Sequence, residues 1–217
     1  MTSHPSISPD PRTRYHGTVI AIVGPPHSGK SVFLAELYRQ LLHRDPTGVF
    51  LQRACPDGEG MWSNEADPEI VQQIRKKCPF SEEFVTVTLR GIERLGQNPH
   101  HRIVLLDLGG KRTAENAEIL QRSTHCIILS SQIEAISAWQ TFIISEGCEI
   151  LAVFRSQLMY NSSQCSQTNL DLTARSILQT DTTPMTGTLV NLCRNQSADC
   201  YSDAIATLAE ALLVRLG

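Results

Sequence analysis

The stretch Thr18-Val19-Ile20-Ala21-Ile22-Val23-Gly24-Pro25-Pro26-His27-Ser28-Gly29-Lys30-Ser31 decides the fold. Its first six residues are apolar and mostly β-branched, the composition of a short buried strand. Its last eight fit G-x-x-x-x-G-K-[ST], in which a glycine-bounded turn leaves a strand and opens a helix. The helix follows: from Val32 to His43, the side chains of Val32, Leu34, Ala35, Leu37, Tyr38, Leu41 and Leu42 fall mostly on one face.

This strand, turn and helix together make a phosphate loop. Gly24 and Gly29 allow backbone conformations closed to other residues and a close approach of amides to a ligand. Successive N–H groups then form an anion nest, reinforced by the helix N-terminus. Pro25 and Pro26 carry no N–H, so the donors come mainly from His27, Ser28, Gly29, Lys30 and Ser31, with Val32 next in line. In this pattern Lys30 reaches the β- and γ-phosphates of a nucleoside triphosphate and the Ser31 hydroxyl holds Mg²⁺.

The second signal is Arg102-Ile103-Val104-Leu105-Leu106-Asp107-Leu108-Gly109-Gly110. An apolar run ending in an aspartate is the pattern of a buried parallel strand that carries a Walker B carboxylate, so Asp107 is the second candidate ligand of Mg²⁺ beside Ser31. Asp107 to Gly110 also fits D-x-x-G, in which the amide of the last glycine can sense a γ-phosphate; Gly110 is that glycine here.

Around these signals the chain alternates β and α. Val49 to Leu51 reads as a second strand after the turn Asp45-Pro46-Thr47-Gly48. Past it, Arg53-Ala54-Cys55-Pro56-Asp57-Gly58-Glu59-Gly60-Met61-Trp62 lies where ligands sit in open α/β sheets, outside the carboxyl ends of the strands. Asp57 and Glu59 are the catalytic candidates there, to approach the metal or the attacking nucleophile, and Arg53 is a candidate phosphate contact. The bland alternative is a solvated acidic loop anchored by Trp62.

Asp67 to Lys77 has helical spacing. Phe84 to Leu89 alternates like a strand, yet Phe84, Val87, Gly91, Ile92 and Leu95 suit a helix face, and a helix from about Glu82 is the reading taken. Helices are expected at 114–122, 133–145 and 201–216, and strands at 125–130, 148–154 and 186–192. Residues 155–185 read as a surface excursion with a short strand or helix near 174–178. The expected organisation is a flexible leader over 1–16, where Pro5, Pro9 and Pro11 oppose a helix, and a single domain over 17–217. The expected class is a three-layer α/β P-loop NTPase fold with a mostly parallel central sheet flanked by helices.

Composition agrees. A chain of 217 residues with 41% hydrophobic and 19% charged content suits one α/β domain with a substantial core. A net charge of −3 gives no general nucleic-acid footprint. Seven cysteines without a C-x-x-C suggest neither a disulfide framework nor a paired zinc knuckle, and a reducing cytoplasm is the natural setting. Cys126 and Cys148, in apolar strand-like runs, read as buried thiols. No apolar run reaches membrane-spanning length.

Leu108 occupies the position where AAA-type and helicase-type ATPases carry a catalytic glutamate. The D-x-x-G continuation instead resembles the GTPase and MinD/dethiobiotin-synthetase-like division and some P-loop kinases. The guanine motif N-K-x-D is not found, Asn191-Leu192-Cys193-Arg194 being only a distant echo of it, which favours adenine, and the second early lysine of the MinD-type loop is missing too. Gly24 to Leu34, with Arg53 to Gly60 and Thr186-Gly187-Thr188-Leu189-Val190-Asn191-Leu192, resembles the "AAA"-labelled P-loop domain associated with CRISPR ring nucleases. That resemblance implies a role in antiviral signalling with a CRISPR-associated partner. No ring-nuclease domain is seen, so cyclic oligoadenylate cleavage does not carry over.

Three functions fit these residues: an ATPase or nucleotide switch using ATP and Mg²⁺, with a second copy of the chain as an expected partner; a P-loop kinase with Asp57 as base; and a nucleotide-binding interaction module. Lys30 is catalytic in the first two, because transferring phosphoryl charge must be stabilised.

Overall fold

The computed structural model describes residues 10–56, 81–160, 170–194 and 196–216. Seven strands form one sheet: β1 (Thr18–Val23), β2 (Val49–Arg53), β3 (Ile103–Asp107), β4 (His125–Ser130), β5 (Glu149–Gln157), β6 (Ile177–Gln179) and β7 (Met185–Val190). Their order is β2-β3-β1-β4-β5-β7-β6. All pairs are parallel except the edge pair β6–β7. The chain runs from β1 to one side for β2 and β3, then to the other for β4, β5 and β7. The loop after β1 therefore stands at the switch point, where open α/β sheets leave a crevice.

Five helices are described: α1 (Lys30–Arg44), α2 (Glu82–Gly96), α3 (Ala114–Leu120), α4 (Ile133–Ser145) and α5 (Ser202–Leu216). The expected helix over Asp67 to Lys77 lies outside the described residues. α1 and α5 cover one face of the sheet, where Phe33, Leu34, Leu37 and Leu41 of α1 and Ile205, Leu208 and Leu212 of α5 close a core over Ile20, Ile22, Leu105, Ile127 and Phe154. On the other face Ile92, Ile119, Trp139 and Ile143 pack over Val19, Ala21, Val104, Leu106 and Ile128. β1 is buried on both faces, which is why its sequence is apolar throughout rather than alternating.

The ambiguous run is a helix, but turned from its expected face. Val85, Thr88, Ile92 and Gly96 point inward, whereas Val87 is 62% exposed. The rotation follows from what the helix meets: Gln52 Nε2 of β2 donates to the Thr88 carbonyl, and the Tyr15 ring fills the space beside Gly96. Ser81 caps the helix by accepting from the Phe84 amide.

Residues 10–16 also differ from the expected leader. Pro11–Arg14 form a 3₁₀ turn capped by Asp10, Arg12 donates to the Gly147 carbonyl, and the His16 amide donates to the Gly96 carbonyl. Proline at the start of such a turn removes an N–H that would be orphaned anyway. Cys126 and Cys148 are buried with their Sγ atoms 3.0 Å apart, and burial pushes the Cys126 thiol well up.

Candidate functional site

Gly24 leaves β1 with φ +140° and packs under the end of β4, where a Cβ would lie 1.9 Å from the Leu129 carbonyl oxygen. No residue with a side chain fits there. His27 and Gly29 both take left-handed conformations, at φ 60° and 84°. Left-handed residues between right-handed ones curl successive N–H groups to one side, which is the geometry of an anion nest. His27 is exposed on the turn and Ser28 is buried, with its hydroxyl lacking a hydrogen-bond partner. α1 begins at Lys30, so Lys30, Ser31 and Val32 form its first turn. The Lys30 ammonium donates to the carbonyls of Gly24 at 3.0 Å and Pro25 at 2.8 Å.

The structure brings Asp107 to this loop through register. β3 pairs directly with β1, with Asp107 opposite Ile22, two residues before Gly24. The carboxylate is only 8% exposed. Beyond it the D-x-x-G turn folds over the phosphate loop: a Cβ on Gly110 would lie 2.7 Å from the Pro26 backbone nitrogen. Gly24, His27, Ser28, Gly29, Lys30, Ser31 and Val32 thus share one end of the sheet with Asp107 and Gly110. Asp57 and Glu59 lie outside the described residues. Arg53 ends β2, opposite Asp107 on the other side of β3.

Three supporting residues are not among the site candidates read from the sequence. Asn116 is fully buried and its Nδ2 donates to the Lys111 carbonyl at 2.6 Å, which ties down the turn after Asp107. Only Thr113, three residues earlier and capping α3, hints at a helix start there. Leu192 follows β7 and closes on the phosphate loop, so that a Cβ on Gly29 would come 2.8 Å from its own Cβ. Asn191 is 1% exposed at φ 55°; its Oδ1 accepts from the Met159 amide and its Nδ2 donates to the Asp171 carbonyl. Its amide is spent on the backbone, which removes it as a reader of a guanine base.

The residues fit a Mg²⁺-bound triphosphate. A positive-φ turn supplies the nest, Lys30 places an ammonium against it, and Ser31 and Asp107 offer oxygens at one end of the sheet. Mg²⁺ is usually held by one or two protein oxygens together with phosphates. No group of three or more His, Cys, Asp or Glu that could hold a metal ion occurs among the described residues. A separate cleft of about 350 Å³ opens at the opposite ends of β4 and β5, lined by His125, Glu149, Thr183 and Arg215. Its polar groups serve the fold: Arg215 donates to the carbonyls of Thr180 and Thr182, and His125 faces Glu149 at 3.5 Å. Burial lowers the His125 pKa despite that carboxylate.

No protein-family model and no curated protein matches the sequence. Solved structures do match in shape. Cobyrinic acid a,c-diamide synthase from Mycobacterium smegmatis is 13% identical over 91% of this chain and 94% of its own, with a TM-score of 0.56. The cell division ATPase MinD of Pyrococcus furiosus is 12% identical over 92% of this chain and 99% of its own, at 0.54. A plasmid partition protein of Borrelia burgdorferi is 9% identical over 92% and 99%, at 0.51. The chain therefore has the α/β P-loop NTPase fold, a mostly parallel seven-stranded sheet flanked by helices.

Proposed function

We propose that the chain binds Mg·ATP and hydrolyses it, acting as an ATPase or nucleotide switch. The observation that carries this reading is the convergence of two sequence signals at one edge: Asp107 in register with Ile22, and Gly110 against Pro26. The structural neighbours support the choice of ligand. The Mycobacterium smegmatis enzyme was solved with ADP and magnesium and with an ATP analogue and magnesium, and the Borrelia burgdorferi protein with AMPPNP.

In this reading the amides of residues 27 to 31 hold the phosphates, and Lys30 exchanges the Gly24 and Pro25 carbonyls for β- and γ-phosphate oxygens. Ser31 and Asp107 hold Mg²⁺, which bridges phosphates and neutralises charge. Such catalysis is mainly positioning and electrostatic stabilisation, for which a fixed nest and one ammonium are suited. Asp57 and Glu59 are the candidates to orient water, since Leu108 has no group for it. Adenine is favoured because Asn191 is engaged elsewhere.

A switch needs a partner that reads its state, and a second copy of the chain is the simplest. Leu158, Met159 and Tyr160 leave exposed apolar surface directly after β5, on the edge of the sheet that carries the site. The antiviral role implied by the CRISPR resemblance enters no step of this reading. Phosphate release from Mg·ATP by the purified protein tests the proposal. Release in buffer alone supports hydrolysis, whereas release or transfer only with an added hydroxyl acceptor would make the chain a kinase, and tight binding without turnover an interaction module.

A further inference from the structure

Arg53 at the end of β2 and Arg155 in β5 are the arginines with a buried nitrogen that has no hydrogen-bond partner among the described residues, and only Arg53 adjoins Asp107. Arg12, Arg39, Arg44, Arg102 and Arg122 are each paired with a carboxylate. Among the described residues Arg53 is in no such pair, and its Nη2 is buried without a hydrogen-bond partner. Its Nε donates to the Cys55 carbonyl at 3.1 Å, so the side chain is held from its own backbone. The next residue continues the ladder, with the Ala54 amide donating to the Asp107 carbonyl at 3.0 Å. A guanidinium N–H withdrawn from water and left without an acceptor is unfavourable until an anion meets it.

Its direction follows from register. Arg53 pairs with Asp107, and Asp107 with Ile22. Paired residues of parallel strands project to the same face. Val49 and Leu51, which share its face along β2, pack into the core under α1. Arg53 therefore faces the side from which α1 and the phosphate loop rise. β2 and β1 are two strand spacings apart, roughly 10 Å, a gap that an arginine side chain and a phosphate chain can close together.

We propose that Arg53 supplies, from within the chain, a positive charge at the terminal phosphate, so that the site distinguishes nucleoside triphosphate from diphosphate. This rests on the nucleotide reading above. The planar guanidinium makes two parallel bonds to phosphate oxygens that an ammonium cannot reproduce. Arg53 has no contact to offer a diphosphate, whose last phosphate ends at Lys30 and the nest. The same charge follows the γ-phosphoryl group as it leaves, the service an arginine delivered by a partner performs elsewhere.

The test is calorimetric titration of the full chain, as wild type, Arg53→Ala and Arg53→Lys, with Mg·ADP and with Mg·AMPPNP, beside the melting temperature of each. Arg53→Ala is expected to weaken AMPPNP by about tenfold or more while ADP stays within about twofold. Arg53→Lys should recover only part of the difference. Phosphate release should fall by at least about 10²-fold and rise again when guanidinium ion is added to Arg53→Ala. Equal losses for both nucleotides would make Arg53 a brace for Asp107 and overturn the inference, as would no loss at all. If Arg53→Ala does not fold, the ADP-to-AMPPNP ratio of Arg53→Lys decides alone. A wild type that binds neither nucleotide refutes the nucleotide reading and this inference with it, whereas a wild type that binds both and variants with an unchanged ratio refute this inference only.

Discussion

Lys30 donates to two loop carbonyls, so the turn already bends around its ammonium. Removing that charge takes from the β- and γ-phosphate oxygens the loop's own cation. Lys30→Ala is expected to weaken Mg·ATP by about 100-fold or more, measured by equilibrium titration. Gly110→Ala acts differently. Its Cβ would meet the backbone nitrogen of Pro26 at 2.7 Å, and a proline backbone cannot yield as a side-chain tip can. The turn after Asp107 must shift, so nucleotide affinity should fall with little loss of thermal stability, a combination that titration and a melting curve separate. What was legible at this scale were residues whose type the chemistry demands: a lysine, a hydroxyl and a carboxylate at set distances from two glycines. Asn116 and Asn191 were not, because burial of an asparagine depends on which distant carbonyls approach it, Lys111 for one and Asp171 for the other.

The helix that carries the lysine is held to α5 by a polar cluster. Glu36, 8% exposed, accepts from Arg39, Gln40 and the Ser202 hydroxyl, while Arg44 reaches Glu210 at 2.8 Å. Burial raises the Glu36 pKa, but those hydrogen bonds outweigh it and hold the carboxyl below its usual range. A depressed carboxyl stabilises the fold fully above the unfolded-state value near 4.5 and loses that contribution as pH falls through the lower folded value. Glu36→Gln should therefore lower the melting temperature at pH 7 and narrow the gap from wild type as acid unfolding approaches. A gap that widens on acidification would contradict this sign. At the element scale, periodicity found α1, α4 and α5 almost to the residue. It missed the turn of α2, because the inward face is chosen by Gln52 and Tyr15, which lie far from it in the chain.

At the scale of the molecule, two apolar layers hold the sheet, and the phosphate loop hangs from the strand buried in both. Phe33, fully buried three residues past Lys30, stacks edge-on to Phe154 at 6.1 Å. Phe33→Ala should cost about 3–5 kcal/mol, read from denaturant unfolding. If a second copy is the partner, the mass in solution should double with Mg·AMPPNP and revert with Mg·ADP, checked by sedimentation. The sheet was legible because parallel strands buried on both sides are written as continuous apolar runs. Strand order was not, since nothing local marks that β3, rather than the earlier β2, lies beside β1. The central claim is that Gly24–Ser31 and Asp107 form one Mg·nucleotide site. Titrating Mg·ATP into the wild type and into Lys30→Ala, with and without Mg²⁺, tests it most directly. Wild type is expected to bind in a Mg²⁺-dependent manner and Lys30→Ala to bind about 100-fold or more weakly; equal binding by the two proteins, or none by the wild type, would contradict a single Mg·nucleotide site there.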